Sequence, residues 1–195
     1  MKFSAQAVLL AVRDTLADPA AAARQVMALG LTAGEAGMAL AAAAITATLL
    51  TVLMQAILGP IGDPAVRDLF DRPFILAISQ FSVMAMGAAL MWRVGRRFGG
   101  TGTFAQALSL VAWLEAVLIL LQLAEVVLIL VLPSLAALVG IASLFVLFYL
   151  LTHFTAALNG FKSLIKTFFA IMLSAFITLI VLSFIVFLLI PVPHA

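Results

Sequence analysis

The sequence contains no cysteine, which excludes several kinds of chemistry at once. Without cysteine the chain has no disulfide framework, no thiolate nucleophile, no iron–sulfur cluster and no cysteine-ligated zinc. Charge is scarce as well, since only 9% of the 195 residues are charged and 66% are hydrophobic. A soluble domain has about a quarter of its residues charged. These proportions exclude disorder, a solvated enzyme domain and a nucleic-acid binder with a basic face, and they predict an integral membrane protein.

Long charge-free runs indicate where the chain crosses the membrane. A helix needs about 20 apolar residues to cross a hydrocarbon core of about 30 Å. The stretch 104–161 would be about 87 Å long as one helix, so it must cross twice, and Pro133 is the strong breaker near its midpoint. We therefore predict an all-α, five-helix membrane domain at 36–195. Its spans are 37–58, 73–92, 105–132, 134–156 and 167–190.

Residues 1–35 have a different pattern. Lys2, Gln6 and Arg13 fall on one helical face, and apolar side chains occupy the remaining surface. Asp18 supplies an N-cap, and Pro19 a first helical residue, for a second short helix. We expect two amphipathic helices that lie on the membrane surface rather than cross it.

The basic residues are divided unequally between the two sides of the predicted membrane domain. Of the ten Lys and Arg residues, only Arg67 and Arg72 fall on the side opposite the N-terminus. Because cytoplasmic segments hold an excess of Lys and Arg, this division predicts a cytoplasmic N-terminus and an external C-terminus. Arg93, Arg96 and Arg97 contribute most to it. Binding of anionic lipid head groups is an alternative role for these three arginines.

Two glutamates interrupt the third span. Glu115 and Glu125, with Gln122 between them, form one polar stripe along the helix. Ionisable groups at membrane depth suggest an ion or proton path. We favour the interpretation that they form hydrogen bonds that hold neighbouring helices together, and the ion or proton path stays open as the alternative. The candidate partners on the first two spans are Thr51, Gln55 and Gln80.

No other group of residues has the spacing that known chemistry requires. Ser143 and His153 share one helix and would lie about 15 Å apart along its axis. His153 is the single histidine of the spans. Together with the two separated glutamates of the third span, it matches no zinc or di-iron ligand pattern. The glycines at 99–102 follow no strand and precede no Gly-Lys-Ser, so they do not form a phosphate-binding loop. We predict no catalytic residues, no metal and no cofactor.

A glycine-rich stretch before the third span is typical of one family. The stretch reads Gly-Gly-x-Gly-Thr-Phe and comprises Gly99, Gly100, Gly102, Thr103 and Phe104. Together with Asp18-Pro19 in the amphipathic segment, it resembles the Yip-one domain family over residues 18–190, in its bacterial form. The resemblance implies five closely spaced crossings with the N-terminus in the cytoplasm.

The same resemblance sets what we expect of function. Eukaryotic relatives are associated with Rab-type GTPases, and many have an Asp-Leu-Tyr-Gly-Pro segment before the first span. That segment is absent here, so the resemblance implies a topology in a bacterial inner membrane and not GTPase binding. We predict a non-enzymatic adaptor or scaffold that contacts lipid and other membrane proteins or copies of itself. A small carrier or transporter subunit, with Glu115, Gln122 and Glu125 as its site, is the alternative.

Overall fold

The computed structural model describes residues 5–59 and 72–189, and all regular structure within these two stretches is helical. The described helices are α1 (Ala5–Ala17), α2 (Pro19–Ala28), α3 (Ala33–Leu58), α4 (Pro73–Arg97), α5 (Phe104–Val131), α6 (Pro133–Asn159) and α7 (Leu164–Leu189). The last five are long and apolar enough to cross a membrane. The predicted all-α, five-span membrane fold is therefore confirmed. Lys2, Arg67 and the C-terminal tail lie outside the described residues.

Capping side chains explain where two of the long helices begin. At the start of α3, the Thr32 hydroxyl accepts the backbone N–H of Glu35 at 3.3 Å, and the Glu35 carboxylate accepts the N–H of Thr32 at 2.8 Å. Thr103 and Gln106 form the same pair of bonds at the start of α5, at 3.2 and 2.9 Å. Such boxes satisfy backbone donors that a helix start leaves unpaired. Helix α3 therefore begins ahead of the predicted span 37–58, and Glu35 belongs to its first turn.

Helices α4 and α6 continue past the predicted spans at the end of the bundle that also holds α1 and α2, which we call the inner end; the opposite end is called the outer end. Helix α4 extends beyond Trp92 to Arg97, and α6 extends through Asn159. Gly160 ends α6 with φ of 71°, a left-handed conformation that glycine adopts without a steric penalty. At the outer end, Pro133 starts α6 directly after Leu132, so α5 and α6 form a hairpin with a single linking residue. Both α4 and α6 are thus longer than a hydrocarbon core requires.

Helix α5 lies at the centre of the bundle. It packs against α3, α4 and α6 along its length and against α2 near its start. Its inner half is buried, with Ala107, Leu110 and Val117 at 0% exposure, and Leu150 and Phe154 of α6 belong to the same core. Since lipid tails are as apolar as these side chains, close van der Waals packing rather than exclusion from water holds such a core together.

The two N-terminal helices pack on the inner half of the bundle. Nε1 of Trp113 on α5 donates a hydrogen bond to the Thr15 hydroxyl at 3.1 Å, and Thr15 is fully buried. The Tyr149 hydroxyl on α6 donates to the Leu16 carbonyl at 3.3 Å. About 20 residues of α5, counted back from its outer end, reach the level of Trp113. By this length, the contact lies near the membrane–water boundary at this end of the bundle, where aromatic side chains with a polar atom are enriched.

Helix α7 is the least enclosed of the long helices. It packs mainly on α6 and presents a wide apolar face, with Ile165 and Phe169 among its most exposed side chains. A helix that is apolar all round is typical of a membrane span. Between α7, α4 and α6 the bundle leaves an open cleft.

Candidate functional site

Two polar side chains of α5 pair with residues that the sequence singled out. The half-buried carboxylate of Glu115 has the side chain of Gln80, on α4, as its hydrogen-bond partner. Nε2 of Gln122 donates to the Thr51 hydroxyl, on α3, at 3.1 Å. The Thr51 hydroxyl in turn donates to the Ala47 carbonyl at 2.9 Å, so this chain of bonds ends within α3.

The third residue of the polar stripe, Glu125, faces a different helix. Its carboxylate lies beside Gly140 of α6, where an added Cβ would come within 2.9 Å of Oε1. Glycine at this position makes room for the carboxylate, which forms no hydrogen bond within the described part of the chain. The predicted partner Gln55 accepts the backbone N–H of Gly59 at 2.9 Å through its own backbone carbonyl, at the end of α3.

The polar stripe is therefore divided among three neighbours of α5. Glu115 is paired with α4, Gln122 with α3, and Glu125 lies against α6. A binding site for a solute needs its polar groups to converge on one cavity. A division among three helices is instead what hydrogen-bonded helix packing produces. The geometry favours the packing interpretation of the stripe, whose role stays a prediction.

The glycine-rich motif lies where α4, α5 and α6 meet at their inner ends. Gly99 has φ of 85°, which L side chains rarely adopt. A Cβ added at Gly100 would overlap the Asn159 side chain, and one added at Gly102 would come within 2.7 Å of the Leu158 carbonyl oxygen. The motif glycines are thus required by a turn and by close approach of the α6 backbone.

The two remaining motif residues hold the start of α5. Thr103 is its N-cap, as described above. The ring of Phe104 packs on the ring of Trp92 with centroids 5.6 Å apart and a tilt of 50°. Tilted aromatic pairs at this distance are favourable beyond the area that they bury. The motif therefore connects the end of α4 to the start of α5 with defined geometry.

Asn159 is the central residue of this region, and sequence reasoning missed it. It is 3% exposed, and its Nδ2 donates to the carbonyls of Thr155 at 3.0 Å and Met91 at 3.3 Å. A Cβ at Gly95 of α4 would overlap it as well. The signal in the sequence is an asparagine just before Gly160, but the predicted loop 157–166 placed it outside the span. We call the set Gly95, Gly100, Gly102, Leu158 and Asn159 the inner junction.

The last turns of α4, which contain Gly95 of the inner junction, also contain three arginines. Arg93, Arg96 and Arg97 are all exposed, and the Arg93 guanidinium lies 5.8 Å from the centre of the Trp92 ring. Within residues 5–59 and 72–189 the only ion pair joins Arg13 to Asp14. No described carboxylate therefore neutralises the three arginines of α4. Positive charge at a helix C-terminus is favourable, and the three side chains are free to meet lipid head groups.

These features define the class of protein, an integral membrane protein of five membrane-spanning helices, three of which meet at a glycine-rich inner junction. Among the described residues, no group of three or more His, Asp or Glu side chains is placed to hold a metal ion.

The family model of the Yip1 domain matches residues 13–185, which is most of the chain. The protein therefore belongs to the Yip1 domain family, as its glycine-rich motif predicted. The search of curated proteins and the search of solved structures gave no match.

Proposed function

We propose that the protein is a non-enzymatic adaptor or scaffold, of bacterial type and in an inner membrane, that holds other membrane proteins or copies of itself through its helices. One observation carries the proposal. Glu115 pairs with α4, Gln122 pairs with α3, and Glu125 lies against α6, so the polar groups of the stripe do not converge on a common site. What remains for partners is the lipid-facing side of the bundle.

The outer surface of α7 is the part best suited to contact a partner. Phe169 and Phe176 are 65% and 61% exposed on this helix, whose only extensive contact within the described chain is with α6. Membrane helices associate by van der Waals packing of such faces, helped by small residues. A partner helix would therefore find α7 accessible along most of its length.

A cytoplasmic N-terminus and an external C-terminus belong to the same proposal. An odd number of spans supports ends that lie on opposite sides of the membrane. Arg93, Arg96 and Arg97 lie near the end of α4, and Lys162 precedes α7. Every described base except Arg72, which precedes α4, therefore lies at the end of the bundle that also holds α1 and α2. Reporter tags at each terminus test this orientation, and two tags on the same side of the membrane would contradict it.

Site-specific photo-crosslinking in native membranes tests the adaptor role. A photoreactive residue at Phe169 or Phe176 should capture one or a few defined membrane proteins, whereas the same residue at buried Leu110 should capture none. The partners should be unchanged in Glu115→Gln and Glu125→Gln variants, because the proposal assigns these groups to packing. Capture of lipid alone from both α7 positions would contradict the proposal.

A carrier is the second candidate, and Glu125 favours it. A carboxyl group at membrane depth with no hydrogen bond in the described chain is costly, and such groups often serve ion coupling. In this case Glu125→Gln would abolish uptake of a solute while the protein still folds. Loss of uptake in this variant, with retained stability, would replace the adaptor proposal by the carrier.

A further inference from the structure

The open cleft between α4, α6 and α7 has apolar walls. Gly87 and Val94 of α4, Leu151 of α6, and Ile171 and Ala175 of α7 line it, around a volume of about 140 Å³. A Cβ added at Gly87 would meet nothing within 4 Å, so the cleft is open at that level. Small residues on facing helices usually let the helices close on each other, but here α7 packs mainly on α6 and leaves the space unfilled.

The few hydroxyl groups of the cleft are already satisfied by their own helices. Thr155 donates to the Leu151 carbonyl at 2.7 Å, Thr167 to the Ser163 carbonyl at 2.9 Å, and Ser174 to the Ile171 carbonyl at 2.9 Å. A hydroxyl that donates within its own helix has no proton left for a ligand. The cleft therefore suits a hydrocarbon chain rather than a polar solute.

A second cavity of about 490 Å³ continues the cleft at the inner end of the bundle. The two cavities share Phe98, Phe161, Thr167 and Ala170 in their walls. The second one adds Lys162, Ser163 and Lys166, and we call it the basic mouth. It therefore joins an apolar space at membrane depth to charged groups at the surface.

The charge of the basic mouth is positive and unneutralised. Lys162 and Lys166 are exposed, and neither forms an ion pair with any described carboxylate. The Ser163 hydroxyl accepts the N–H of Lys166 at 3.4 Å, so the N-terminus of α7, with its partial positive charge, opens at the same place. Phe98, 70% exposed, lies at the boundary between charge and apolar surface.

We propose that the cleft and the basic mouth together bind one anionic glycerophospholipid, with its phosphate between Lys162 and Lys166 and one acyl chain between α4 and α7. Charge complementarity selects the occupant, because a second membrane helix would fill the apolar cleft and leave both ammonium groups unpaired. The phosphate of the lipid pairs with the two lysine ammonium groups, and its acyl chain fills the apolar cleft. This site differs from the arginines of α4, since it includes a place for the chain as well as for the head group.

Native mass spectrometry of the purified protein, titrated with phosphatidylglycerol or phosphatidylcholine, tests the head-group part. Each base near a membrane surface contributes about a five-fold gain in affinity for anionic lipid, so Lys162→Gln/Lys166→Gln should weaken the first bound phosphatidylglycerol about 30-fold. Binding of phosphatidylcholine should be unchanged. The Lys162→Arg/Lys166→Arg variant should keep the preference, and the matched control Arg13→Gln/Arg24→Gln should stay within about two-fold of wild type.

The same titration tests the chain part with two matched glycine variants. Gly87→Leu places a side chain in the cleft and should weaken both lipids about ten-fold, the loss of one to two buried methylenes. Gly37→Leu, at a position where an added Cβ also meets nothing within 4 Å, should have no effect. Glycerol 3-phosphate, which has the charge without the chains, should displace the lipid only at far higher concentration.

Three results would overturn the proposal. The first is equal affinity of the wild type for the two lipids. The second is an equal loss of phosphatidylglycerol affinity in Lys162→Gln/Lys166→Gln and in Arg13→Gln/Arg24→Gln, which would show nonspecific attraction of the lipid to all the bases at the inner end. The third is an unchanged affinity in Gly87→Leu at an unchanged melting temperature, which would mean that no acyl chain enters the cleft.

Discussion

Two glycines of the same helix have opposite surroundings. Gly95 is buried at the inner junction, and a side chain there would overlap Asn159. Gly87, two turns closer to the outer side, faces the cleft beside α7 and has open space around it. The first glycine allows α6 to approach α4, whereas the second leaves a gap that no part of the described chain fills. The comparison teaches that small residues in membrane helices mark either close contact or a vacant space, and only the neighbour decides which.

The largest expected effect comes from adding one methyl group at Gly95, and the same change at Gly87 is its control. Gly95→Ala should lower the free energy of unfolding by about 3 kcal/mol, because the Asn159 side chain is buried and has nowhere to move. Gly87→Ala should not destabilise the protein. Because alanine loses less conformational entropy on folding than glycine does, it should raise the free energy of unfolding by about 0.5 kcal/mol. Unfolding in mixed detergents measures both. Equal losses in the two variants would end the distinction between junction and cleft.

A double-mutant cycle sharpens the cause of the larger effect. The atoms that a Cβ at Gly95 would overlap are the terminal amide atoms of Asn159, and Asn159→Ala removes them. Adding Gly95→Ala to Asn159→Ala should therefore cost about 2 kcal/mol less than adding it to the wild type, a coupling expected for residues in contact. Additive effects would place the damage in the backbone of α4 and not in this contact.

The contact between the N-terminal helices and the bundle extends the comparison to a second buried region at the inner end. Trp113→Phe removes the indole N–H that donates to the buried Thr15 hydroxyl and should cost about 1 kcal/mol. Because the bond joins α1 to α5, hydrogen exchange should increase in α1 and α2 first. Exchange that increases evenly over all helices would show instead that α1 and α2 are not a separate docking unit.

The smallest effect is expected in the polar stripe. Gln122→Leu and Thr51→Val each remove one side of the hydrogen bond between α5 and α3, and such bonds within membranes contribute about 0.6 kcal/mol on average. The double variant should cost about as much as either single one. A loss above about 2 kcal/mol in either variant would rank the stripe with the inner junction and contradict the comparison.

Hydropathy and charge were enough to predict the five long helices, and the glycine-rich motif was enough to predict the family. Residue bounds followed less well at the inner end, because a capping box extends α3 to Ala33 and Asn159 still belongs to α6. Periodicity placed Glu115 and Glu125 on one stripe, but a stripe about 80° wide on a central helix meets more than one neighbour. Which helix each glutamate meets depends on the packing of α3, α4 and α6 around α5, and one helix's sequence does not contain that information.

The absence of cysteine provides a direct test of the central claim that the stripe packs the bundle and lines no path for a solute. Single cysteines at Glu115→Cys, Gln122→Cys and Glu125→Cys can be exposed, in lipid vesicles, to a membrane-impermeant thiol reagent, with exposed Arg97→Cys as the positive control. We predict that Arg97→Cys reacts and that the three stripe positions do not. Reaction at all three, blocked by one common solute, would show a shared aqueous path and contradict the account.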